Sequence, residues 1–266
     1  MKKFNLWLAT YVIGPVLSVV ICLLEAFRII KFQHFNRYPI WEEKVIVISN
    51  HPSLLEPVIL PLMGFPWMNF PWVFSPLWLR IKPSLNWARE FREEFFLTKK
   101  LIPVSVPDKR NYYDKAYMGL IRELNIPVKR DGTASDRMAT VLALKEVLEQ
   151  GGRIILFPEG GRTYKAKEKI KSPKGRALGK LKEGAALLAI LTGAKIVPVW
   201  IEGSDKFLPN DKFPLPRFWH RITINIGKPF TLNKSNLSAL SKSKDIRKAA
   251  NQIITQALLE TGDEVG

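Results

Sequence analysis

Short runs of apolar, largely β-branched residues alternate along the chain with segments of helical periodicity, and this alternation limits the possible folds more than any other feature. The predicted strands cover residues 45–48, 126–129, 153–157, 196–201 and 221–226. The predicted helices cover residues 135–150, 176–192 and 245–260. Apolar strands that alternate with helices are typical of a parallel sheet with helices on both faces. We therefore predict an α/β domain over residues 41–266, with a mixed, largely parallel sheet flanked by helices.

Residues 1–40 differ in composition from the rest and predict a hydrophobic, helical, membrane-binding arm. Residues 4–24 carry no charged side chain and as one helix would extend about 31 Å, close to the hydrocarbon thickness of a bilayer. The Gly14-Pro15 pair interrupts this run, so a segment that lies in the interface is the other form of attachment. Residues 25–37 mix phenylalanine and isoleucine with basic residues, which is typical of a helix in the headgroup layer. A signal peptide and an ordinary buried helix are the alternatives.

The chain is strongly basic, with 41 lysine and arginine residues against 24 acidic ones and a formal net charge of +17. Such a charge predicts an anionic partner: nucleic acid, a membrane surface or a phosphorylated substrate. Residues 162–182 hold a dense basic run that suits anionic lipid headgroups. Aromatic residues are not interleaved with arginine in this run, so we predict no nucleic-acid partner. The single cysteine, Cys22, excludes a zinc site of several thiolates.

Polar and charged residues cluster at the points where three of the predicted strands end. They are His51 after residues 45–48, Lys129 and Arg130 at the end of residues 126–129, and Glu159, Gly160 and Arg162 after residues 153–157. Ligands of open α/β sheets bind outside the carboxyl ends of the strands. The sequence therefore predicts one functional site at this edge of the sheet.

His51 is the candidate general base, because an imidazole exchanges protons near neutral pH. Glu56 is the nearest acid, and its carboxylate can orient the ring through the second ring nitrogen. Residues five apart on an ideal helix point about 140° away from each other, so their contact requires His51 to precede the helix. We place Pro52 at the first helical position and interpret Ser53 as structural. A structural histidine that caps the helix is the alternative.

Arg130 and Arg162 are the candidate phosphate ligands. A guanidinium group can bind two phosphate oxygens at once, and the Gly160-Gly161 pair lets the backbone approach a ligand closely. Solvated turns are the alternative interpretation of both segments. The sequence has neither a P-loop nor a dinucleotide-binding fingerprint.

Four motifs, in order over residues 45–203, resemble those of glycerolipid acyltransferases of the 1-acyl-sn-glycerol-3-phosphate (lysophosphatidic acid) acyltransferase type. His51 and Glu56 match the His-x4-Asp/Glu motif of that family. Residues 126–132, 157–163 and 196–201 resemble its second, third and fourth motifs. Any one of these would be weak alone, but four in register make a specific signal.

The resemblance implies transfer of a fatty acyl group from acyl carrier protein or coenzyme A to the free hydroxyl of a lysophospholipid. The foremost acceptor is 1-acylglycerol 3-phosphate, which gives phosphatidic acid. His51 would deprotonate the acceptor, Glu56 would orient the ring and stabilise its charge, and attack would be direct, without an acyl-enzyme. The implied substrate-binding residues are Lys129, Arg130, Glu159, Gly160, Arg162 and Pro198. No metal or cofactor besides the donor thioester is implied, and the expected location is a membrane, on the cytoplasmic face.

Three departures from the family pattern leave the acceptor open. Glu56 stands where aspartate is commoner, and Gly161 stands where threonine is usual. The segment between Glu56 and Arg130 is longer than in a compact member. It holds a cluster of aromatic residues, Trp67, Phe70, Trp72, Phe74, Trp78 and Trp87. Another lyso-lipid or polar-lipid acceptor, or a non-catalytic protein that binds anionic lipids, is the alternative function.

Overall fold

A six-stranded sheet forms the centre of the protein in a computed structural model, which describes residues 14–34, 42–53, 55–63, 103–114, 122, 125–209, 215–232 and 246–265. Its strands are β1 (Ile30–Gln33), β2 (Val45–Ser49), β3 (Val104–Ser105), β4 (Arg153–Leu156), β7 (Lys195–Glu202) and β8 (Ile222–Ile226). They lie side by side in the order β1-β8-β7-β2-β4-β3. β2, β3, β4 and β7 are parallel, β8 is antiparallel to β7, and β1 is parallel to β8. The predicted mixed, largely parallel sheet is confirmed.

Helices lie on both faces of this sheet. They are α1 (Gly14–Ala26), α2 (Glu56–Met63), α3 (Ala134–Glu149), α4 (Gly184–Thr192), α5 (Ser204–Phe207) and α6 (Ile246–Asp263). Buried side chains of α3, α4 and α6 form one core cluster with one face of the sheet, and those of α2 and α5 form a second cluster with the other. A separate antiparallel hairpin joins β5 (Lys169–Lys171) to β6 (Ala177–Gly179).

The two central strands show why the sheet forms where it does. All five residues of β2 and six of the eight residues of β7 are buried. Successive side chains of a strand point to opposite faces, so Ile46 and Ile48 enter one core cluster while Val45 and Val47 enter the other. A continuous apolar run is therefore needed, since both faces of these strands are covered.

Two of the predicted elements are wrong. Residues 126–129 form no strand, and Asn125 and Val128 make only isolated bridges to Ser105 and Asp108. Pro127 lies between the two bridges and has no N–H to continue a ladder. The predicted helix over residues 176–192 begins only at Gly184. Residues 177–179, within the predicted helix, form β6 instead. The N–H of Gly179 in β6 donates to Glu159, in the loop after β4.

The interfacial helix predicted over residues 25–37 is also wrong where the structure describes it. Helix α1 ends at Ala26, and β1 begins at Ile30. Arg28 takes the left-handed conformation (φ 57°), and the N–H groups of Arg28 and Ile29 donate to the carbonyls of Glu25 and Leu24. This is the Schellman arrangement, which stops a helix and turns the chain. The sheet thus takes in part of residues 1–40, across the predicted boundary of the arm.

Within the described ranges, the protein has no helix that combines the length and the apolar character needed to cross a bilayer. Helix α1 nevertheless exposes apolar side chains, namely Val16, Val19, Val20 and Leu23. Residues 1–13 of the predicted arm and the aromatic cluster between residues 67 and 87 lie outside the described residues.

Candidate active site

The carboxyl end of β2 is fastened to the neighbouring strand by the side chain of Asn50. Its Nδ2 donates to the carbonyl of Ile201 at 2.8 Å, and its Oδ1 accepts the N–H of Ile201 at 2.8 Å. Asn50 is buried, so its amide replaces one step of the ladder between β2 and β7. This double contact fixes the point at which the chain leaves the sheet, one residue before His51.

The structure brings His51 and Glu56 together at this edge. The Nδ1 atom of His51 lies 2.8 Å from Oε2 of Glu56, and the side chains are 12% and 0% exposed. His51 precedes α2, as the contact requires. Because a carboxylate can only accept, Nδ1 carries the proton and the lone pair is on Nε2. The imidazole also stacks on Phe157, with ring centroids 4.5 Å apart.

Glu56 is held by three further hydrogen bonds. Its Oε2 accepts the N–H of Ser53 at 2.9 Å, and its Oε1 accepts the hydroxyls of Ser53 and Ser204 at 2.8 and 2.6 Å. The Ser-x-x-Glu spacing allows the Glu56 side chain to reach back to the N–H of Ser53, as glutamate does in a capping box. The N–H of Leu55 in turn donates to Oγ of Ser53 at 3.1 Å. Both oxygens of the buried carboxylate are thus fixed relative to the imidazole.

The position predicted for Pro52 is wrong. Helix α2 begins at Glu56, four residues after Pro52. Ser53 donates its N–H and its hydroxyl to Glu56, and this turn before the helix leaves Pro52 beside His51. The Ser-x-x-Glu spacing was the sequence signal for this arrangement.

A second buried carboxylate, that of Glu159, supports the backbone around His51. Oε1 of Glu159 accepts the N–H of His51 at 2.9 Å and the hydroxyl of Thr163 at 2.7 Å. Oε2 accepts the N–H of Gly179, in β6, at 2.7 Å. Burial raises the pKa of Glu159, and these three hydrogen bonds oppose the rise. Glu159 thereby joins the ends of β2 and β4 to the β5–β6 hairpin.

Glycine is needed at two positions around Glu159. At Gly179 a Cβ would lie 2.6 Å from Oε2 of Glu159, so a larger residue would displace the carboxylate. Gly160 has φ 66°, a left-handed conformation that favours glycine. The N–H of Thr163, three residues on, donates to the carbonyl of His51 at 2.8 Å. The turn of residues 157–163 is therefore bound to His51 through both its side chains and its backbone.

The predicted phosphate ligands lie on two different segments. Arg162 belongs to the turn of residues 157–163, and its guanidinium carbon lies 5.3 Å from the ring centroid of Tyr164. Arg130 is half exposed, and its Nε lies 3.0 Å from the buried carboxylate of Asp108. Nζ of Lys129 lies 2.6 Å from Asp136. This hydrogen bond is the largest cause that lowers the pKa of Asp136 to about 2.

Pro198 lies in the middle of β7, opposite Ile48 of β2. Its carbonyl accepts the N–H of Gly227 at 2.8 Å. It shares the face of β7 with Ile196 and Trp200, which belong to the core cluster beneath α6. The strand position of Pro198 thus contributes to the sheet, three residues before the point where Asn50 contacts Ile201.

The sequence assigned no role to Phe157 and Thr163, although both lie in the third motif, and it did not reveal Ser204 as part of the site. Ser204 lies 148 residues from Glu56 along the chain, and no local pattern signals such a contact. Among the residues that the structure describes, no cluster of three or more histidine, cysteine, aspartate or glutamate side chains is suited to a metal ion.

Comparison with known proteins gives a family match and two similar sequences. The family model described as Acyltransferase matches residues 28–202, about two thirds of the chain. The chain is 29% identical over 130 residues to "1-acyl-sn-glycerol-3-phosphate acyltransferase LPAT1, chloroplastic" of Arabidopsis thaliana, which covers 46% of this chain and 32% of that protein. It is 28% identical over 131 residues to "1-acyl-sn-glycerol-3-phosphate acyltransferase BAT2, chloroplastic" of Brassica napus, which covers 48% and 34%. The chain therefore matches about a third of the length of these relatives.

A solved structure gives a fainter likeness. It is the crystal structure of the 1-acyl-sn-glycerophosphate (LPA) acyltransferase PlsC from Thermotoga maritima, at 19% identity and a TM-score of 0.45. The match covers 88% of this chain and 72% of that one. The fold is therefore described from the strand order of the chain itself.

Proposed function

The chain belongs to the acyltransferase family, and on that premise we propose that it transfers a fatty acyl group from a thioester to the free hydroxyl of a lysophospholipid. The acceptor that the motifs favour is 1-acylglycerol 3-phosphate, which would give phosphatidic acid. The observation that carries the proposal is the pair of His51 and Glu56, held 2.8 Å apart at the carboxyl edge of the sheet. This is the edge at which α/β proteins bind their ligands.

The geometry of the pair supports general-base catalysis. The acceptor hydroxyl donates its proton to Nε2 of His51, because Nδ1 is engaged with Glu56. The hydroxyl oxygen then attacks the thioester carbonyl, the carbon–sulfur bond breaks, and the departing sulfur takes the proton back from the imidazolium. Glu56 faces the imidazolium with a negative charge during these steps. Burial strengthens this attraction, because water screens it little.

The hydroxyl groups around His51 favour direct attack over an acyl-enzyme. An activated nucleophile would need its hydroxyl within reach of the free ring nitrogen. The hydroxyl of Ser53 is buried and donates to Glu56, and that of Thr163 donates to Glu159. The hydroxyl of Ser204 also donates to Glu56. Each of these three groups is thus held by a carboxylate rather than aimed at a substrate.

The acceptor phosphate is assigned to basic residues at the same edge. Arg162 is the foremost ligand, because it adjoins Thr163, whose N–H donates to the carbonyl of His51. Glu159 and Gly160 shape the turn that carries Arg162. Arg130 and Lys129 would add positive charge from the neighbouring segment, each oriented by an aspartate. Pro198 would keep β7 in position beside the acyl donor, whether that donor is acyl carrier protein or coenzyme A.

Association with a membrane surface forms part of the proposal. Helix α1 exposes Val16, Val19, Val20 and Leu23, while Ile21 of the same helix is buried against the protein. The β5–β6 hairpin exposes Lys169 and Lys171, and basic residues near an anionic membrane contribute about 1 kcal/mol each. Phospholipids of the cell membrane, on the cytoplasmic face, are the surface that we assign to these groups.

An acyl-transfer assay tests the proposal. The purified chain is mixed with acyl carrier protein or coenzyme A thioesters labelled in the acyl group, and with a panel of lysophospholipids and glycerol phosphates. We expect labelled diacyl product with 1-acylglycerol 3-phosphate and none with the His51→Ala variant. Product formed only from another acceptor would mean that 1-acylglycerol 3-phosphate is not the substrate. Liposome binding without any transfer would favour a non-catalytic protein that binds anionic lipids.

A further inference from the structure

We propose that a loop before β8 makes a second contact with the bilayer, at the same edge of the sheet as His51. The contact consists of four side chains, Phe27, Leu215, Phe218 and Trp219, which we call the edge patch. The inference rests on the proposed function, because a lysophospholipid acceptor has to reach His51 from a membrane. The chemistry that would bind the patch is an anionic phospholipid surface.

The edge patch is strongly exposed. Trp219 and Phe27 are each 75% exposed, Leu215 is 73% exposed and Phe218 is 57% exposed. A single exposed apolar residue needs no explanation, but several together mark an interaction surface. Tryptophan is enriched where one side of a protein meets the headgroup layer of a bilayer.

Strand pairing places the two parts of the patch side by side. Ile30 is paired with Ile222 at the start of β1 and β8, and the N–H of Ile222 donates to the carbonyl of Ile29 at 2.8 Å. The residues just before these strands, Phe27 and Trp219, therefore leave the sheet next to each other.

The same pairing places the patch at the edge that carries His51. β7 is parallel to β2 and antiparallel to β8, so the amino end of β8 lies beside the carboxyl end of β7. Val199 pairs with both Ser49 and Ile226, so β8 begins beyond the level at which β2 ends, on the side that carries His51. β1 is parallel to β8 and begins at that edge too. With about 4.8 Å between strands and about 3.3 Å per residue, β8 and β1 start about 10 and 14 Å to the side of β2 and about 13 Å beyond its last residue. A bilayer in contact with the patch would therefore lie beside the site.

The backbone of the loop is held while its tip stays exposed. The N–H of Arg217 donates to the carbonyl of Phe207 at 2.7 Å, and the N–H of His220 donates to the carbonyl of Arg217 at 3.0 Å. The ring of Phe218 packs edge-on against the buried Phe207, with centroids 5.6 Å apart. The exposed rings thus stand on a fixed turn, so little ordering is required for binding.

Charge selects a membrane rather than an uncharged apolar partner. Residues 215–221 contain Arg217 and Arg221 and no acid, and Arg28 adjoins Phe27. Arginine beside exposed aromatic rings suits the headgroup layer, where the rings enter the acyl boundary and the guanidinium groups stay among the phosphates. The apolar face of α1 continues from Phe27, so one surface would carry both contacts.

An environment-sensitive fluorophore on the loop tests the proposal. The one cysteine of the chain is first removed by Cys22→Ser. Trp219→Cys is then introduced, and the fluorophore is attached to the new cysteine. The matched control is Leu191→Cys, because Leu191 is 46% exposed near the end of α4, which leads into the start of β7 at the opposite edge. The vesicles contain phosphatidylcholine, with or without phosphatidylglycerol.

We expect a blue shift and increased fluorescence at position 219 with vesicles that contain phosphatidylglycerol, and no change at position 191. No change at position 219 while the protein co-sediments with the vesicles would overturn the proposal. Equal changes at both positions would overturn it too, because binding would not be specific to this edge. Leu215→Cys provides a second position in the loop should Trp219→Cys not fold. Acyl transfer of each labelled protein in detergent micelles tests the proposed function separately.

Discussion

Two segments hold His51, and each contributes one buried glutamate. In residues 51–56 the carboxylate of Glu56 contacts the imidazole, whereas in residues 157–163 the carboxylate of Glu159 accepts the backbone N–H of the same residue. Both carboxylates lie in the interior, at 0% and 8% exposure. The same residue type with similar burial thus contacts a side chain in one segment and holds the backbone in the other.

The two glutamates also differ in the kind of donor that contacts each carboxylate. Oε1 of Glu56 faces two hydroxyls, those of Ser53 and Ser204, which can rotate to accept as well as donate. Each oxygen of Glu159 faces a backbone N–H, from His51 or from Gly179, which can only donate. A glutamine amide can therefore fit at position 56 but not at position 159.

The largest effect is expected for Glu56→Gln. Its amide nitrogen can take the place of Oε1, so the ring of His51 keeps its orientation but loses the negative charge that stabilises the imidazolium. We expect kcat to fall about a hundredfold or more, within the range that general-base catalysis contributes. Steady-state kinetics at saturating donor and acceptor measure kcat. The control is Glu149→Gln, at an exposed position of α3. A kcat close to that of the wild type would contradict the role of Glu56.

Arg162→Ala is expected to act on the acceptor alone. Loss of charge-assisted hydrogen bonds worth about 1.5–3 kcal/mol should raise the KM for 1-acylglycerol 3-phosphate about tenfold to a hundredfold. The KM for the acyl donor should stay near its original value. Equal increases for donor and acceptor would contradict a phosphate ligand in the turn of residues 157–163.

Arg130→Ala is the matched comparison for this variant. Arg130 contacts the buried carboxylate of Asp108, so its removal should lower the midpoint of unfolding as well as weaken acceptor binding. Arg162→Ala should lower that midpoint less, because Arg162 contacts the exposed ring of Tyr164 whereas Asp108 is buried. Thermal unfolding of the two variants, followed by circular dichroism, separates a ligand of the substrate from a residue that also stabilises the fold.

Glu159→Gln is expected to change stability more than catalysis. Whichever way the amide turns, its NH2 group faces a backbone N–H that loses its carboxylate acceptor, which costs about 1–3 kcal/mol. In one of the two orientations the N–H of His51 keeps a longer bond to Oγ1 of Thr163, at 3.3 Å. Urea unfolding should show this loss, while kcat of the folded fraction falls less than in Glu56→Gln. A variant of wild-type stability would show that Glu159 does not hold the backbone.

The same variant has a pH signature. Burial raises the pKa of Glu159 in the folded protein, so ionisation of this group is harder in the folded state than in the unfolded one. The contribution of Glu159 to the free energy of unfolding is therefore largest below pH 4.5, the ordinary pKa of a glutamate. It is lost as the pH rises through the raised pKa of the folded protein. The stability gap between the wild type and Glu159→Gln should narrow as the pH rises, and a widening gap would contradict the direction of the shift.

The smallest effect is expected for Ser204→Ala. It removes one of the four hydrogen bonds to Glu56 and leaves the contact with His51 in place. A neutral donor contributes about 0.5–1.5 kcal/mol, so kcat should fall about twofold to tenfold. The control is Asp205→Asn on the exposed side of α5. Loss of all activity in Ser204→Ala would mean that the hydroxyl does more than orient Glu56.

The contrast between the two segments also explains what the sequence could predict. The spacing of His51 and Glu56 implied their contact because both lie on one short segment, where geometry is local. The second segment makes its contacts across the fold: Glu159 meets His51 and Gly179, which are 108 and 20 residues away. Such contacts depend on the strand order, which periodicity alone does not specify.

One of the errors in the predicted elements, the helix over residues 176–192, has the same origin. The apolar pattern was sufficient to predict β2, β4, β7 and β8, because most residues of these strands are apolar and buried. Residues 176–183 carry a helical composition, but the bond from Gly179 to Glu159 places them in a hairpin. Tertiary contacts override helical propensity there, as they commonly do.

The most direct test of the account follows the acyl group itself. Wild-type protein is mixed with a thioester labelled in its acyl group and divided into two aliquots. The first is denatured before any acceptor is added and counted for covalent label, and the second receives 1-acylglycerol 3-phosphate. Direct attack predicts no protein-bound label in the first aliquot, labelled phospholipid in the second, and no product from His51→Ala. Label that is bound covalently to the protein and then moves to the acceptor would contradict direct attack at His51.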